Sequence, residues 1–254
     1  MPVNSGGEYI LKPSPDGYEL AAENEHLCML IARHLGFVIP EVCLVPFAVT
    51  GRATQLGYLI KRYDRDNGHK YEQEDLLQAM GFSNFDSNNK YNSASYEDVL
   101  KFIGDRLSTA DAFKALKLII LSYYLGNDDL HLKNMSLVKK ERLEVSPLYD
   151  VLSSSLYIGA GRSVIALDMF NEEDAAPYYS TMGNGMYAGA DFIKLSTISG
   201  IPKKPTVKFI HEIQKEHPKV LEIIAASYLS AVMKNKLQQL LEHRLNLLKI
   251  LEVQ

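Results

Sequence analysis

The sequence predicts an α+β fold with two lobes, a small sheet with one helix followed by a larger, mostly helical part. The N-terminal part contains short strand-like runs around one helical pattern, whereas long helical patterns dominate the rest. We place the boundary so that residues 1–63 form the small lobe and residues 64–254 the large one. With 254 residues, 46% of them hydrophobic, the chain can bury a substantial core.

The small lobe is predicted to contain three strands and one helix. Leucine and isoleucine recur at helical spacing before Gly36, which is a typical residue for the end of a helix. The predicted elements are a strand at 8–12, a helix at 22–35, and strands at 41–49 and 56–62 joined by a turn at 50–51.

The large lobe begins with a polar stretch and continues with capped helices. Residues 82–95 (FSNFDSNNKYNSAS) lack periodicity and predict a mobile loop, either functional or simply disordered. A serine followed three residues later by an aspartate is typical of a helix start. Such starts occur at Ser95 with Asp98 and at Ser108 with Asp111; Gly126 ends the second helix, and a strongly helical stretch begins at about Lys219.

The composition excludes several classes of protein. The net charge is -4 and the pI about 6.0, so nothing suggests a basic nucleic-acid surface. Two cysteines, Cys28 and Cys43, are too few for a disulfide framework. Residues 1–7 contain no apolar signal segment, and the most apolar stretch, 115–125, is too short to span a bilayer. We therefore expect a soluble cytoplasmic protein.

One stretch carries the strongest chemical signal. Asp129 follows the second capped helix, and Asn134 comes five residues later. Two short strands joined by a charged turn then lead to Asp150. An antiparallel hairpin sends the chain out and back, so Asn134 and Asp150 are expected to return to the same place beside Asp129.

Oxygen-bearing side chains in this order are typical of a kinase active site. One carboxylate accepts or orients the attacking hydroxyl, while an amide and a second carboxylate hold Mg²⁺ on the phosphates of ATP. The alternative is an ordinary surface turn with an unrelated hairpin. The capped helix before the loop and the aspartate beyond the hairpin make that alternative weaker.

Three further residues are candidates for the nucleotide site. Lys12 ends the first strand, where a lysine can reach the phosphates of ATP. Glu25 on the following helix is one candidate to hold it in place, and Glu23 is equally available. Asp64 lies at the joint between the lobes, where it would meet a ribose. Solvated surface roles remain open for all of them.

The sequence resembles the HipA-type serine/threonine kinases, the toxins of bacterial toxin–antitoxin systems, and most closely their shorter HipT-like branch. The resemblance covers nearly the whole chain, and the last two of its motifs are the most specific. These motifs are YILKP (9–13), ENEHLCMLIARHLG (23–36), IKRYDR (60–65), QED (73–75), KY (90–91), NDDLHLKNMSL (127–137) and SPLYDVLSS (146–154).

The resemblance implies a protein-kinase-like fold and a role for each matching residue. Asp129 would be the catalytic base, and Asn134 and Asp150 would bind Mg²⁺. Lys12 would contact the ATP phosphates. The rest of the nucleotide site would be formed by backbone groups of Lys61 and Tyr63 and by the side chains of Asp64, Gln73 and His131.

The resemblance also implies partners. The family phosphorylates aminoacyl-tRNA synthetases and is neutralised by a helix-turn-helix antitoxin, through which alone it meets DNA. Its members carry an N-terminal subdomain and a Ser-rich phosphate-covering loop, whereas only MPVNSGGE precedes the YILK strand here. A separate partner chain could supply them. Alternatively, the chain is a catalytically silent binding module or a kinase for a small molecule.

Overall fold

The computed structural model describes residues 7–48, 54–66, 68–157, 163–172 and 175–253. The small lobe contains a three-stranded antiparallel sheet in the order β1-β3-β2, with one helix packed on it. The predicted turn at 50–51 lies outside the described residues. The elements of this lobe are β1 (Tyr9–Pro13), α1 (Ala21–His34), β2 (Val42–Phe47) and β3 (Gln55–Lys61).

A second three-stranded sheet, in the order β6-β7-β8, belongs to the large lobe. The predicted hairpin is confirmed as β7 and β8, and β6 pairs with β7 so that Gln73 lies opposite Val138. The strands are β4 (Arg65–Asp66), β5 (His69–Lys70), β6 (Glu72–Asp75), β7 (Ser136–Lys139) and β8 (Leu143–Val145).

Helices form the rest of the large lobe. Both predicted caps are present: the Ser95 hydroxyl accepts from the Asp98 N–H in a capping box, and the Ser108 hydroxyl accepts from the Asp111 N–H. The helices are α2 (Leu76–Ala79), α3 (Asn89–Asn92), α4 (Tyr96–Arg106), α5 (Thr109–Leu125), α6 (Pro177–Met182), α7 (Gly189–Ile198), α8 (Lys203–Ala226) and α9 (Ala231–Leu248).

Helix α5 is the central element of the core. Most of its side chains are buried, including Leu116, Ile120 and Tyr124 at 0% exposure. Each fully buried leucine or isoleucine contributes roughly 1.5–3 kcal/mol. The core is one continuous cluster that also includes Leu27 of α1 and Tyr58 of β3. Because α5 is packed in this core, the loop that follows its C-terminal end begins at a rigidly held residue.

Two expectations about the large lobe were wrong. The long C-terminal helical stretch begins at Lys203 rather than near Lys219, because α8 continues through Pro218. Pro218 is exposed, while Ile213 and Val220 on either side are buried, so packing outweighs the lost backbone hydrogen bond. The polar stretch at 82–95 is not wholly irregular, since it contains the short helix α3.

Within the described residues, every helix is too short or too polar to cross a bilayer. Cys28 is buried and Cys43 exposed, and both are free thiols.

Candidate active site

Gly126 turns the chain sharply at the end of α5. Its φ of 67° lies in the left-handed region, which glycine adopts without strain. A Cβ at this position would lie 2.5 Å from Leu240 Cδ2 and 3.0 Å from Ser155 Oγ, so there is also no room for a side chain. This turn delivers the segment that starts at Asn127 to the edge of the large lobe.

Asp129 and Asn134 are held together by the loop between them. The Asn134 side-chain Nδ2 donates to the backbone oxygen of Asp129 at 2.9 Å, and the His131 N–H donates to the same oxygen at 2.8 Å. Because the nitrogen of the Asn134 amide is used in this way, its oxygen remains as the atom that could bind a cation.

Asp150 lies beside this loop because hydrogen bonds of Tyr149 join the two ends of the hairpin. The Tyr149 hydroxyl donates to the backbone oxygen of Lys133 at 3.0 Å and lies 2.6 Å from Ser136 Oγ. Asp150 itself has a φ of 56°, which is uncommon for a residue other than glycine. The structure thus brings Asp129, Asn134 and Asp150 to one end of the hairpin.

Lys12 connects the small lobe to this group. Its Nζ lies 2.8 Å from Glu25 Oε1 and 2.6 Å from Asp150 Oδ1. The structure therefore places Glu25 beside Lys12, whereas Glu23 Oε2 is buried with no hydrogen-bond partner among the described residues.

Burial and neighbouring charges have opposite effects on the pKa values of Glu25 and Lys12. Burial raises the pKa of Glu25 to about 7, although the neighbouring ammonium of Lys12 opposes the rise. Burial alone would lower the pKa of Lys12, but the charges of Glu25 and Asp150 outweigh it and raise that pKa. Lys12 is thus held as a cation between two carboxyl groups.

Helix α1 has a second connection to the segment after Asp150, which sequence reasoning missed. Asn24 is completely buried, and its amide donates to the backbone oxygen of Ser153 at 3.0 Å. It also accepts from the Ser153 N–H at 3.1 Å. Asn24 lies within the family-like motif at 23–36, but nothing in its spacing distinguishes it from an ordinary helical residue.

Tyr91 was also missed, because it lies in the stretch expected to be mobile. Its hydroxyl donates to Asp129 Oδ1 at 2.6 Å, and its ring packs edge-on against His131 with the ring centroids 5.0 Å apart. His131 Nε2 is 3.9 Å from the same oxygen. Burial lowers the pKa of His131, and Asp129 opposes part of that shift. The KY motif at 90–91 was the signal that could have identified Tyr91.

The remaining nucleotide-site candidates fall into two groups. Tyr63 donates a short hydrogen bond to Gln73 Oε1, and its ring lies 5.4 Å from that of Tyr149, so these three residues meet beside the hairpin. In the second group, Lys61 and Asp64 already have hydrogen-bond partners within the protein. The N–H of Lys61, in β3, donates to the backbone oxygen of Glu41 at 2.9 Å.

Asp64 is 4% exposed and is held by two arginines. Its oxygens accept from Arg62 at 2.9 and 2.8 Å, and Arg65 lies 3.3 Å away. Burial would raise the pKa of Asp64, but its contacts with Arg62 and Arg65 outweigh burial and lower it. Contact with a ribose would require this carboxylate to share its hydrogen bonds.

The donor set suits a hard cation. Within the described part of the chain, no group of three or more His, Cys, Asp or Glu side chains could hold a metal by itself. Mg²⁺ usually takes only one or two protein carboxylates, and phosphates and waters complete its shell. The Asn134 amide oxygen and the partly exposed Asp150 carboxylate fit that pattern.

Comparison with solved structures defines the class of fold. HipA of Shewanella oneidensis MR-1, solved with HipB and operator DNA, superposes with a TM-score of 0.76 at 21% identity over 98% of this chain. The proinflammatory kinase CtkA of Helicobacter pylori superposes with a TM-score of 0.62 at 15% identity over 96% of this chain, which corresponds to 88% of CtkA. The predicted α+β, kinase-like fold with two lobes is confirmed.

The sequence comparison identifies the family. The model for the HipA-like C-terminal domain matches residues 2–221, and the chain belongs to that family. A Haemophilus influenzae protein named "Putative kinase" is 36% identical over 89% of this chain and 70% of its own length. A Sinorhizobium fredii protein named "Putative kinase Y4dM" is 35% identical over 65% of this chain and 41% of its own length. This chain spans only 61% of the HipA chain.

Proposed function

We propose that this chain transfers the terminal phosphoryl group of ATP to a serine or threonine hydroxyl of a protein, with the help of Mg²⁺. The observation that carries the proposal is the position of Lys12. Its ammonium, on a strand of the small lobe, contacts both Glu25 of helix α1 and Asp150 of the large lobe. A lysine fixed by a helical glutamate beside a metal-binding aspartate is the arrangement that protein kinases use for phosphoryl transfer.

Each residue of the site has a task in this proposal. Asp129 accepts the proton of the attacking hydroxyl, and Tyr91 fixes one oxygen of its carboxylate so that the other faces the acceptor. Asn134 and Asp150 would hold Mg²⁺, which neutralises phosphate charge when bound. Lys12 positions the phosphates.

Further residues would bind the rest of the nucleotide. Backbone groups of Tyr63, and of Lys61 other than its N–H, would hold the adenine, while Asp64, Gln73 and His131 would line the site. The meeting of Tyr63 with Gln73 beside Tyr149 supports the placement of the base at this point.

The biological setting is part of the proposal. Membership of the HipA-like family supports a toxin of a toxin–antitoxin system, acting in the cytoplasm on an aminoacyl-tRNA synthetase. The structural relative was solved with HipB and operator DNA, which supports a helix-turn-helix antitoxin as partner and contact with DNA only through it.

A transfer assay tests the proposal. The chain is incubated with terminally labelled ATP, Mg²⁺ and cell-lysate proteins, with and without candidate partner chains. We expect labelled phosphoserine or phosphothreonine from the wild type and no label from Asp129→Asn or Asp150→Asn. Asp105→Asn is the matched control, because Asp105 is exposed on α4. Equal labelling by all four proteins would contradict the proposal.

The second candidate is a binding module that does not turn over ATP. It is favoured by the direct contact of Lys12 with Asp150, because this contact occupies both the ammonium that would bind the phosphates and the carboxylate that would bind Mg²⁺. Calorimetry with ATP and Mg²⁺ separates the two candidates: saturable binding without transfer, even with partner chains present, would favour the module.

A further inference from the structure

A cavity of about 390 Å³ lies beneath the hairpin of the large lobe, against helix α5. Ala115 and Leu118 of α5 line one side, and the segment 145–148 lines another. Phe37 and Val38, in the connection between α1 and β2, line a third side, and Asn134 and Tyr149 of the candidate active site also border the cavity. The volume is within the range of small-molecule sites, and such sites are mostly apolar with a few polar groups.

The charged groups around this cavity are mainly cationic. Lys114, Lys117 and Lys140 line it, and Glu144 is the one acidic residue among its described lining residues. Lys114 already pairs with the carboxylate of Asp111 at 2.7 Å. Among the described residues, neither Lys117 nor Lys140 has a carboxylate within ion-pair distance.

Of these two lysines, Lys117 has the more unusual environment, because its side chain is half-buried among aromatic rings. Burial lowers the pKa of Lys117, and the charge of Glu212 offsets only part of that shift. A cation in apolar surroundings gains from a nearby anion, since water screens the pair poorly there. The ring centroids around its Nζ belong to Phe37 at 5.3 Å, Phe209 at 5.6 Å and Phe113 at 5.7 Å.

We propose that this cavity binds a medium-chain carboxylate, whose hydrocarbon chain lies between α5 and residues 145–148 and whose carboxylate pairs with Lys117. Lys117 also borders a second cavity, whose lining includes the rings of Phe113 and Phe209 together with Lys204, Lys208 and Glu212. There Glu212 lies 3.8 Å from Lys208 and supplies an anion already. In the first cavity the acidic residue, Glu144, lies 4.0 Å from Arg142 and pairs with none of the described lining lysines, so this cavity is the better complement to an anionic ligand with an apolar body.

Titration calorimetry of the full chain with decanoate and decanol tests the charge requirement. We expect decanoate to saturate one site per chain and decanol to bind at least about tenfold more weakly, the cost of one lost ion pair. Lys117→Met keeps the packing of the side chain but removes the charge, so it should weaken decanoate binding about tenfold and leave decanol unchanged. Lys194→Met, on the exposed side of α7, should bind both as the wild type does.

A second variant tests the location. Ala115→Leu fills the first cavity without touching Lys117, so decanoate binding should be lost while thermal unfolding shows a folded chain. The inference is overturned if the wild type shows no saturable decanoate binding, or if Lys117→Met or folded Ala115→Leu binds decanoate with wild-type affinity. If Ala115→Leu does not fold, Ala115→Val, a smaller enlargement at the same position, takes its place. These measurements need no nucleotide, so a failure here is distinguishable from a failure of the kinase proposal, although the cavity shares Asn134 and Tyr149 with the proposed kinase site.

Discussion

Lys12 and Asp150 are separated by 138 residues, yet their side chains meet at 2.6 Å and form a direct ion pair between the two lobes. Glu25 is the third member of this contact, so strand β1, helix α1 and the segment after β8 converge on one ammonium group. The geometry of the proposed site therefore depends on the position of the lobes relative to each other.

Replacement of Lys12 should weaken nucleotide binding. Lys12→Met removes the cation that would contact the phosphates, and we expect the affinity for ATP with Mg²⁺ to fall about tenfold or more, as for the loss of a charge-assisted contact. Calorimetry measures this directly. Lys101→Met on α4, which removes an exposed lysine, should bind as the wild type does. Unchanged affinity in Lys12→Met would exclude Lys12 from the nucleotide site.

Glu25 should make the stability of the chain dependent on pH. Its pKa is raised from 4.5 to about 7 in the folded chain, so folding favours the protonated carboxyl. The resulting stabilisation is complete below pH 4.5 and is lost as the pH rises through about 7. Urea unfolding at a series of pH values should show this loss in the wild type and not in Glu25→Gln. The same slope in both proteins would refute the assignment.

Asn24 should be important for stability, although it lies outside the proposed chemistry. Asn24→Ala would leave the buried N–H and carbonyl of Ser153 without their partners, at a cost of about 2–4 kcal/mol. The free energy of unfolding measures this cost. Asn246→Ala on the exposed side of α9 is the control, for which we expect a change within about 0.5 kcal/mol. A similar small change in Asn24→Ala would show that water replaces the lost contacts.

Tyr91 should affect transfer more than binding. Tyr91→Phe removes only the hydroxyl that fixes Asp129 Oδ1, so we expect the transfer rate to fall about tenfold while ATP affinity stays the same. Tyr228→Phe, a change at an exposed tyrosine, should leave both unchanged. If the rate of Tyr91→Phe rose instead, the hydroxyl would be acting as an obstacle to the acceptor.

Much of the fold could be predicted because its signals are local. The capping residues Ser95 and Ser108, the glycine after α5 and the charged turn of the hairpin each determine the backbone near them. Helix α8 was the main failure, since burial of Ile213 and Val220 decides its course through Pro218. The lobe boundary after residue 63 stays a prediction.

The site was predictable in outline and not in its supporting contacts. The order of Asp129, Asn134 and Asp150 indicated a shared location because a hairpin brings its ends together. Asn24 and Tyr91 act through contacts with residues far away in the chain, 129 and 38 positions apart, which no local spacing reveals. The choice of Glu25 over Glu23 likewise depended on which helix face meets Lys12.

The left-handed backbone at Asp150 has a consequence for how this position tolerates change. Residues with a Cβ lose about 1 kcal/mol or more in that conformation, whereas glycine does not. Asp150→Gly should therefore unfold at a higher temperature than Asp150→Ala, even though both remove the same carboxylate. In Asp150→Gly the relieved backbone strain offsets part of the stability lost with the Lys12 contact, whereas Asp150→Ala loses that contact and keeps the strain.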